Sequence, residues 1–553
     1  MFVKKYPATY EELLRDFSVP CPENFNFAFD VVDAVALSEP AREAMIHVSE
    51  AGEARRLDFA FFSRASSALA NALSEKGIGR GSMVMLILHR RIEFWVSMLA
   101  LHKLGAIAIP SPSLLTEKDI VYRANFAGVK GIVCDTDIRP RVEAVRHQCA
   151  ELCVLVQTGK DAPAGWYEYD ELVAGADNRF VRAPDSAGGS DPAIVFFSSG
   201  TTGQPKMVAH AHTYPLGHYL TGAYWHDLEP GSIHLTVSDT GWGKALWGKF
   251  YGQWMAGAVV FVYDFRGKFE AAKLLRVMSR YKITSFCAPP TVYRFLIREN
   301  LDEYDLSALR HCTTAGELLN ENVFALWRER FGLSIFEGYG QTETTLQVAT
   351  FPFMKAKPGS IGKPCPGWDV VLLDEEGEPC PTGVEGEICV RLDKGHPVGL
   401  FLEYLKNEEK TKSVRYGGYY HTGDKAWQDE DGYFWFMGRV DDLIKSSGYR
   451  IGPFEVESVL MAHEAVLEAA VTGLPDPVRG QAVKATIVLA SGYEPGEELT
   501  KKLQTHVKQS TAPYKYPRVV EYVQELPKTI SGKVKRGEIR ARDIRALSEE
   551  RKG

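Results

Sequence analysis

Phe197-Ser-Ser-Gly-Thr-Thr-Gly-Gln-Pro-Lys206 is the stretch that decides how this 553-residue chain is read. It follows the apolar run 193–197, which has the character of a buried strand. Gly200 and Gly203 let the backbone bend tightly and bring successive N–H groups to one ligand. Ser198, Ser199, Thr201 and Thr202 add hydroxyl donors, and Lys206 adds a positive charge. The chemistry is that of a loop cradling a polyphosphate. It is not a Walker A loop, because Gln204-Pro205 separates the second glycine from the lysine where that motif runs straight into a helix.

Outward from this loop, short apolar runs alternate with amphipathic stretches. Runs 83–88, 106–110, 131–134, 155–157 and 193–197 read as buried strands, and 65–76 and 94–104 as helices. Continuous apolar strands between helices imply an α/β architecture of layered, parallel-rich sheets. Lys76-Gly-Ile-Gly-Arg-Gly-Ser82 is glycine-rich, but it follows a helix and opens a strand. A dinucleotide turn needs the reverse order, so the segment reads as a helix end and turn. From about Gly438 the pattern changes to a smaller α+β unit: helix 453–463, strands 469–472 and 483–490, helix 498–508 and strand 519–522. The expected organisation is a large domain over 1–437, a hinge at 438–443 and a small domain over 444–553.

Composition narrows the function classes. A net charge of −7 gives no global attraction to nucleic acid or anionic membranes. The nine cysteines are scattered, with no C-x-x-C pair, which argues for buried thiols in a reducing compartment and against a disulfide scaffold or zinc site. No apolar run approaches the ~18 residues a membrane span needs. The N-terminal MFVKKYPATYEELLRDF lacks the apolar core of a secretory signal, so the expected location is the cytoplasm. His210, His212 and His218 are spaced closely enough to suggest a transition metal, but no carboxylate or cysteine completes a set, and a pocket wall or helix surface is the better reading.

Six motifs in order make the functional reading specific. After Ser198–Lys206 come Ala315-Gly-Glu317, Glu337-Gly-Tyr-Gly-Gln-Thr-Glu343, Tyr420-His-Thr-Gly-Asp424, Gly438-Arg-Val-Asp-Asp-Leu-Ile-Lys-Ser-Ser-Gly-Tyr-Arg450 and Leu526-Pro-Lys-Thr-Ile-Ser-Gly-Lys533. Over about 190–540 the chain thereby resembles the adenylate-forming superfamily of acyl-CoA synthetases, luciferases and peptide-synthetase adenylation domains. The resemblance implies ATP contacts from Ser198, Ser199, Gly200, Thr202, Gly203, Gly316, Glu317, Glu337, Gly338, Tyr339, Gly340, Gln341, Thr342, Asp424 and Arg439. Tyr339 would stack on adenine, Thr342 would touch the α-phosphate, and Asp424 would accept from the ribose hydroxyls. Glu343 would hold Mg²⁺. Lys533, with Thr201, Lys206 and Glu343, would carry the chemistry by neutralising charge as the carboxylate meets the α-phosphate.

The finer likeness is to medium-chain acyl-CoA synthetases, through Asp239–Lys249, Phe286–Thr291 and Pro397–Phe401. It implies CoA contacts from Ser447, Gly448, Tyr449, Arg450, Arg479, Lys508 and Tyr516, a hinge at Asp441 and a small domain that swings between half-reactions. It places the acyl pocket at Trp242, Gly243, Trp247, Ala288, Gly316, Gly338 and Gly340. Acetyl-CoA synthetases typically carry tryptophan at the position of Gly340, so glycine implies an acid larger than acetate: short branched, medium-chain, cyclic or aromatic. Trp242 or Trp247 closing the same space is the competing reading. The implied activity is an AMP-forming acid–thiol ligase with ATP, CoA and Mg²⁺. The rivals are a carrier-protein loader, an acetate enzyme running towards ATP, a luciferase-like oxidase and a non-catalytic acyl-nucleotide sensor. A homodimer is compatible with the sequence, which does not fix oligomeric state.

Overall fold

The computed structural model describes residues 2–198, 205–267, 269–317, 319–447, 449–528 and 534–550. The apolar runs around the phosphate loop form one eight-stranded sheet. Met83–Ile87, Ile107–Pro110, Val129–Cys134, Val154–Gln157 and Pro192–Ser198 lie parallel in it, and Lys206–Ala211 returns antiparallel to Pro192–Ser198. A second, nine-stranded sheet has a parallel centre built from Glu43–Ser49, Val259–Asp264, Ile233–Thr236, Ser285–Cys287, His311–Ala315 and Ile335–Tyr339. Helix Ile92–Leu104 is apolar on nearly every face and is buried on nearly every face, as an interior helix should be. The glycine-rich segment after helix Phe59–Glu75 ends it: Gly77 takes φ +89°, and its N–H bonds the Ser74 carbonyl.

A third sheet is antiparallel: Val370–Leu373, Gly386–Arg391, Tyr419–Gln428 and Arg415–Tyr416, with Phe434–Arg439 paired on Tyr419–Gln428. The small unit has its own sheet and core. Hairpin Ile444–Ser446/Tyr449–Ile451 joins Gly480–Leu489, Val466–Asp476 and Val519–Tyr522, backed by helices Pro453–Ala462 and Glu497–Ser510. Arg439 still pairs within the large domain's sheet and Ile444 within the small one's, so the change of sheet falls at residues 440–443. All nine cysteines are free thiols, six of them buried; Cys21 and Cys153 are exposed, which departs from the expectation that the thiols are buried.

Candidate active site

Among the described residues, Lys206, Tyr339, Gln341, Glu343 and Asp424 gather near the carboxyl ends of parallel strands, where open α/β sheets bind ligands. Ser198 ends Pro192–Ser198 and Lys206 opens its antiparallel neighbour, and the two stand opposite each other in register. The expectations for Ser199, Gly200, Thr201, Thr202, Gly203, Gly448 and Lys533 fall outside the described residues, and of Arg450 only the backbone is described.

Lys206 Nζ donates to Glu343 Oε1 at 3.2 Å and to the Tyr404 hydroxyl at 3.0 Å. The Tyr404 hydroxyl donates to the same carboxylate oxygen at 2.8 Å, and the ammonium lies 4.3 Å from the centre of the Tyr404 ring. Burial pushes the Glu343 carboxyl up, but the Lys206 charge and the Tyr404 hydrogen bond outweigh it and hold the group below the usual carboxylate range. Glu343 is therefore an ionised carboxylate beside Lys206, the donor type a hard divalent cation takes.

A second cluster adjoins it. Tyr339, at the end of Ile335–Tyr339, donates to Asp424 Oδ2 at 2.6 Å. Gln341 Nε2 donates to the same oxygen at 2.6 Å, and the Tyr420 hydroxyl orients Gln341 at 2.7 Å. A bulge explains how Asp424 reaches this position. Opposite Gly386–Arg391 the register slips at Thr422-Gly423-Asp424, with Gly423 at φ +72°. Bulges re-aim side chains in this way. Arg439 faces Asp424 across the strands at 4.0 Å and bonds Asp441 at 3.1 Å. The Thr342 carbonyl accepts from His210 Nε2 at 2.8 Å. Glu317 accepts from Thr291 Oγ1 at 2.9 Å beside Gly316, whose φ of +98° faces open space. The Glu337 carboxylate accepts the Leu319 and Gly359 N–H groups at 3.1 and 3.0 Å, bracing two loops.

The expected acyl wall divides. A Cβ on Gly243 would meet nothing within 4 Å. A Cβ on Gly340 would lie 2.4 Å from Trp247 Cη2, and one on Gly338 would lie 2.7 Å from Trp225 Cζ2. The Trp247 indole therefore packs directly against Gly340, while Trp242 caps helix Gly243–Gly248 half-buried. Ala288 is fully buried in a core cluster with Phe286 and Tyr293. His210, His212 and His218 are all buried, which excludes the helix-surface reading. Burial takes the first two imidazoles down to about 4, and Tyr214 packs between His210 and His218.

In the small domain, Ser447 N–H bonds the Arg479 carbonyl at 2.9 Å, and Lys508 lies over the Tyr516 ring at 4.0 Å. Tyr449 stacks on Tyr514, ring centres 4.0 Å apart. The structure thus adds Tyr404, Tyr420 and Tyr514 as neighbours of the expected residues. Tyr420 lay inside a motif; Tyr404 and Tyr514 carry no local signal.

A family model described as AMP-binding enzyme matches residues 32–405, and one described as AMP-binding enzyme C-terminal domain matches 455–533. The acyl-coenzyme A synthetase ACSM3, mitochondrial, of Mus musculus is 42% identical over 545 residues, covering 97% of this chain and 93% of the relative. ACSM4, mitochondrial, of the same organism is 43% identical over 538 residues, covering 96% and 92%. Among solved structures, the anthranilate CoA ligase AuaEII in complex with anthranoyl-AMP superposes with TM-score 0.87 at 30% identity, covering 95% of this chain and 99% of that one. These relatives overturn the cytoplasmic expectation, since those named here are mitochondrial. The missing apolar core excluded only a secretory signal; mitochondrial targeting uses amphipathic, arginine-rich segments that this criterion does not detect. Among the described residues no helix is long and apolar enough to cross a membrane. With both models matched and relatives aligned over nearly the whole chain, the chain belongs to the AMP-binding enzymes.

Proposed function

We propose that the chain activates a carboxylic acid larger than acetate with ATP and transfers the acyl group to CoA, releasing AMP and pyrophosphate through an acyl-adenylate. It is an AMP-forming acyl-CoA synthetase, an acid–thiol ligase. The observation that carries the mechanism is the Lys206–Glu343–Tyr404 cluster beside the phosphate loop, adjoining the Tyr339–Asp424 pair. Both reactants of the first step are anions, so positioning and charge neutralisation are the main tasks of the site. Lys206 supplies fixed positive charge, and Asp424 is the acceptor for ribose hydroxyls. Glu343 would hold Mg²⁺, which when bound supplies charge neutralisation at the phosphates. Lys533 is the proposed adenylating lysine, delivered by the small domain with the hinge at Asp441. The Ser447–Arg479 and Lys508–Tyr516 region is the proposed CoA surface. Medium-chain acids, which the sequence resemblance implies, would make this a reaction of fatty acid metabolism.

Pyrophosphate release with ATP and Mg²⁺, measured over acids from acetate to octanoate with 2-methylbutyrate, cyclohexanecarboxylate and benzoate, tests this reading. The expected result is acid-dependent release with CoA-dependent turnover and an optimum above two carbons. Acid-dependent release without CoA turnover indicates a carrier-protein loader, and preference for acetate refutes the acyl assignment.

A further inference from the structure

Cys389 and His421 stand directly opposite each other on paired antiparallel strands, and Glu387 shares their sheet face two residues before Cys389. Cys389 Sγ lies 3.4 Å from His421 Nδ1, and Glu387 Oε2 lies 3.0 Å from the same nitrogen. All three ligand atoms fall within 4.8 Å of one another. Tetrahedral zinc, with bonds of ~2.3 Å to sulfur and ~2.0 Å to nitrogen and oxygen, needs sulfur and nitrogen about 3.5 Å apart and nitrogen and oxygen about 3.3 Å apart. The cluster already has nearly this spacing. Its supports are those of a built site. Glu387 Oε1 accepts the Gly423 N–H at 2.8 Å, which fixes the carboxylate. Tyr416 lies flat on the imidazole, 3.7 Å between centres and 5° from parallel, which fixes the ring.

We propose that Glu387, Cys389 and His421 form a binding site for one thiophilic divalent ion, Zn²⁺ by ligand type, separate from the site at Glu343. Binding replaces the thiol proton, which leaves to solvent, with a metal–sulfur bond; the neutral imidazole, in its Nε2–H tautomer, gives the Nδ1 lone pair, the carboxylate gives the third bond and water the fourth. No cysteine spacing reveals this site, because its ligands come from two strands. Its position is consequential: the same bulge that gives Glu387 a backbone N–H aims Asp424 at the ATP site.

The test titrates Co²⁺ into the full chain, stripped with EDTA and returned to Mg²⁺. The expected result is a near-ultraviolet thiolate-to-cobalt charge-transfer band that saturates at one equivalent and is displaced by Zn²⁺. The band is lost in Cys389→Ala and in His421→Gln, and survives in Cys21→Ser and Cys153→Ser, which remove the exposed thiols. Zn²⁺ also raises the unfolding temperature of the wild type but not of Glu387→Gln, an arm that stands if Cys389→Ala fails to fold. No band, a band kept in His421→Gln, or a band lost with an exposed thiol overturns the proposal.

Discussion

The Tyr404 hydroxyl is bound to both Lys206 and Glu343, so Tyr404→Phe isolates what that single oxygen does. Hydrogen bonds to charged groups contribute about 1.5–3 kcal/mol, which predicts a roughly 10- to 100-fold loss in kcat/KM for pyrophosphate release. An unchanged rate would show that Lys206 alone positions Glu343. Trp247 gives the second test at this scale. Its ring occupies the space beside Gly340, so Trp247→Gly should move the best acid to longer chains. Gly340→Trp should abolish activity, because the two indoles collide. The double variant Trp247→Gly/Gly340→Trp should recover turnover with short acids, and its failure to do so would place the pocket elsewhere. Legibility differed between these residues for a physical reason. Glu343 and Lys206 lie in local strings whose spacing is the signal. Tyr404 reaches them from 61 and 198 residues away, and the rotamer that turns Trp247 onto Gly340 is decided by packing.

Among elements, the parallel strands were readable because both faces are buried and the runs are continuously apolar, as in Met83–Ile87 and Val129–Cys134. The antiparallel sheet was not: Tyr419–Gln428 alternates in burial over half its length and is interrupted by the Thr422–Asp424 bulge, which no periodicity announces. Glu337 has a structural task that its motif does not announce, since its carboxylate ties two loops to its strand. Glu337→Gln turns one acceptor into a donor facing a backbone N–H and should destabilise the large domain by about 1–3 kcal/mol in urea unfolding. Lys249, at the end of helix Gly243–Gly248, donates to the Ser238 carbonyl at 2.6 Å. Burial, reinforced by Arg90, pushes its ammonium down to about 7. An unfolded lysine keeps its proton to ~10.4. Between these values the unfolded chain binds more protons, so this group makes stability rise with pH from about 7 and contributes fully only above ~10. Lys249→Met should remove that slope, at most about 1.4 kcal/mol per pH unit, from urea midpoints taken at pH 7, 8 and 9. Parallel wild-type and variant profiles would refute it.

At the scale of the whole molecule, the change in character near Gly438 marks a second apolar pattern, and residues 444–507 do contribute a core cluster of their own. How the small domain sits on the large one had no counterpart in the sequence, since the contacts join surface residues far apart in the chain. Asn320 Nδ2 donates to the Ser458 carbonyl at 2.9 Å, Arg294 Nη1 meets Met461 Sδ at 2.7 Å, and the Phe436 and Phe454 rings lie 5.5 Å apart. Asp442, next to the proposed pivot, is held by Arg536 and Arg540 of the small domain, so it travels with that domain, whereas Asp441 is bonded to Arg439 on the large side. A swing between half-reactions, which the resemblance implies, has to break the Asn320–Ser458 and Arg294–Met461 contacts and leave the Asp442 clamp intact. Asn320→Ala removes a contact present in only one arrangement and so biases the populations of the two. The expected outcome is unequal: the half-reaction served by this arrangement slows, and the other keeps or gains rate. Pyrophosphate release without CoA and acyl transfer from a preformed acyl-adenylate separate the two halves. Equal loss in both would mean that the contact supports stability alone and that no exchange of domain positions depends on it.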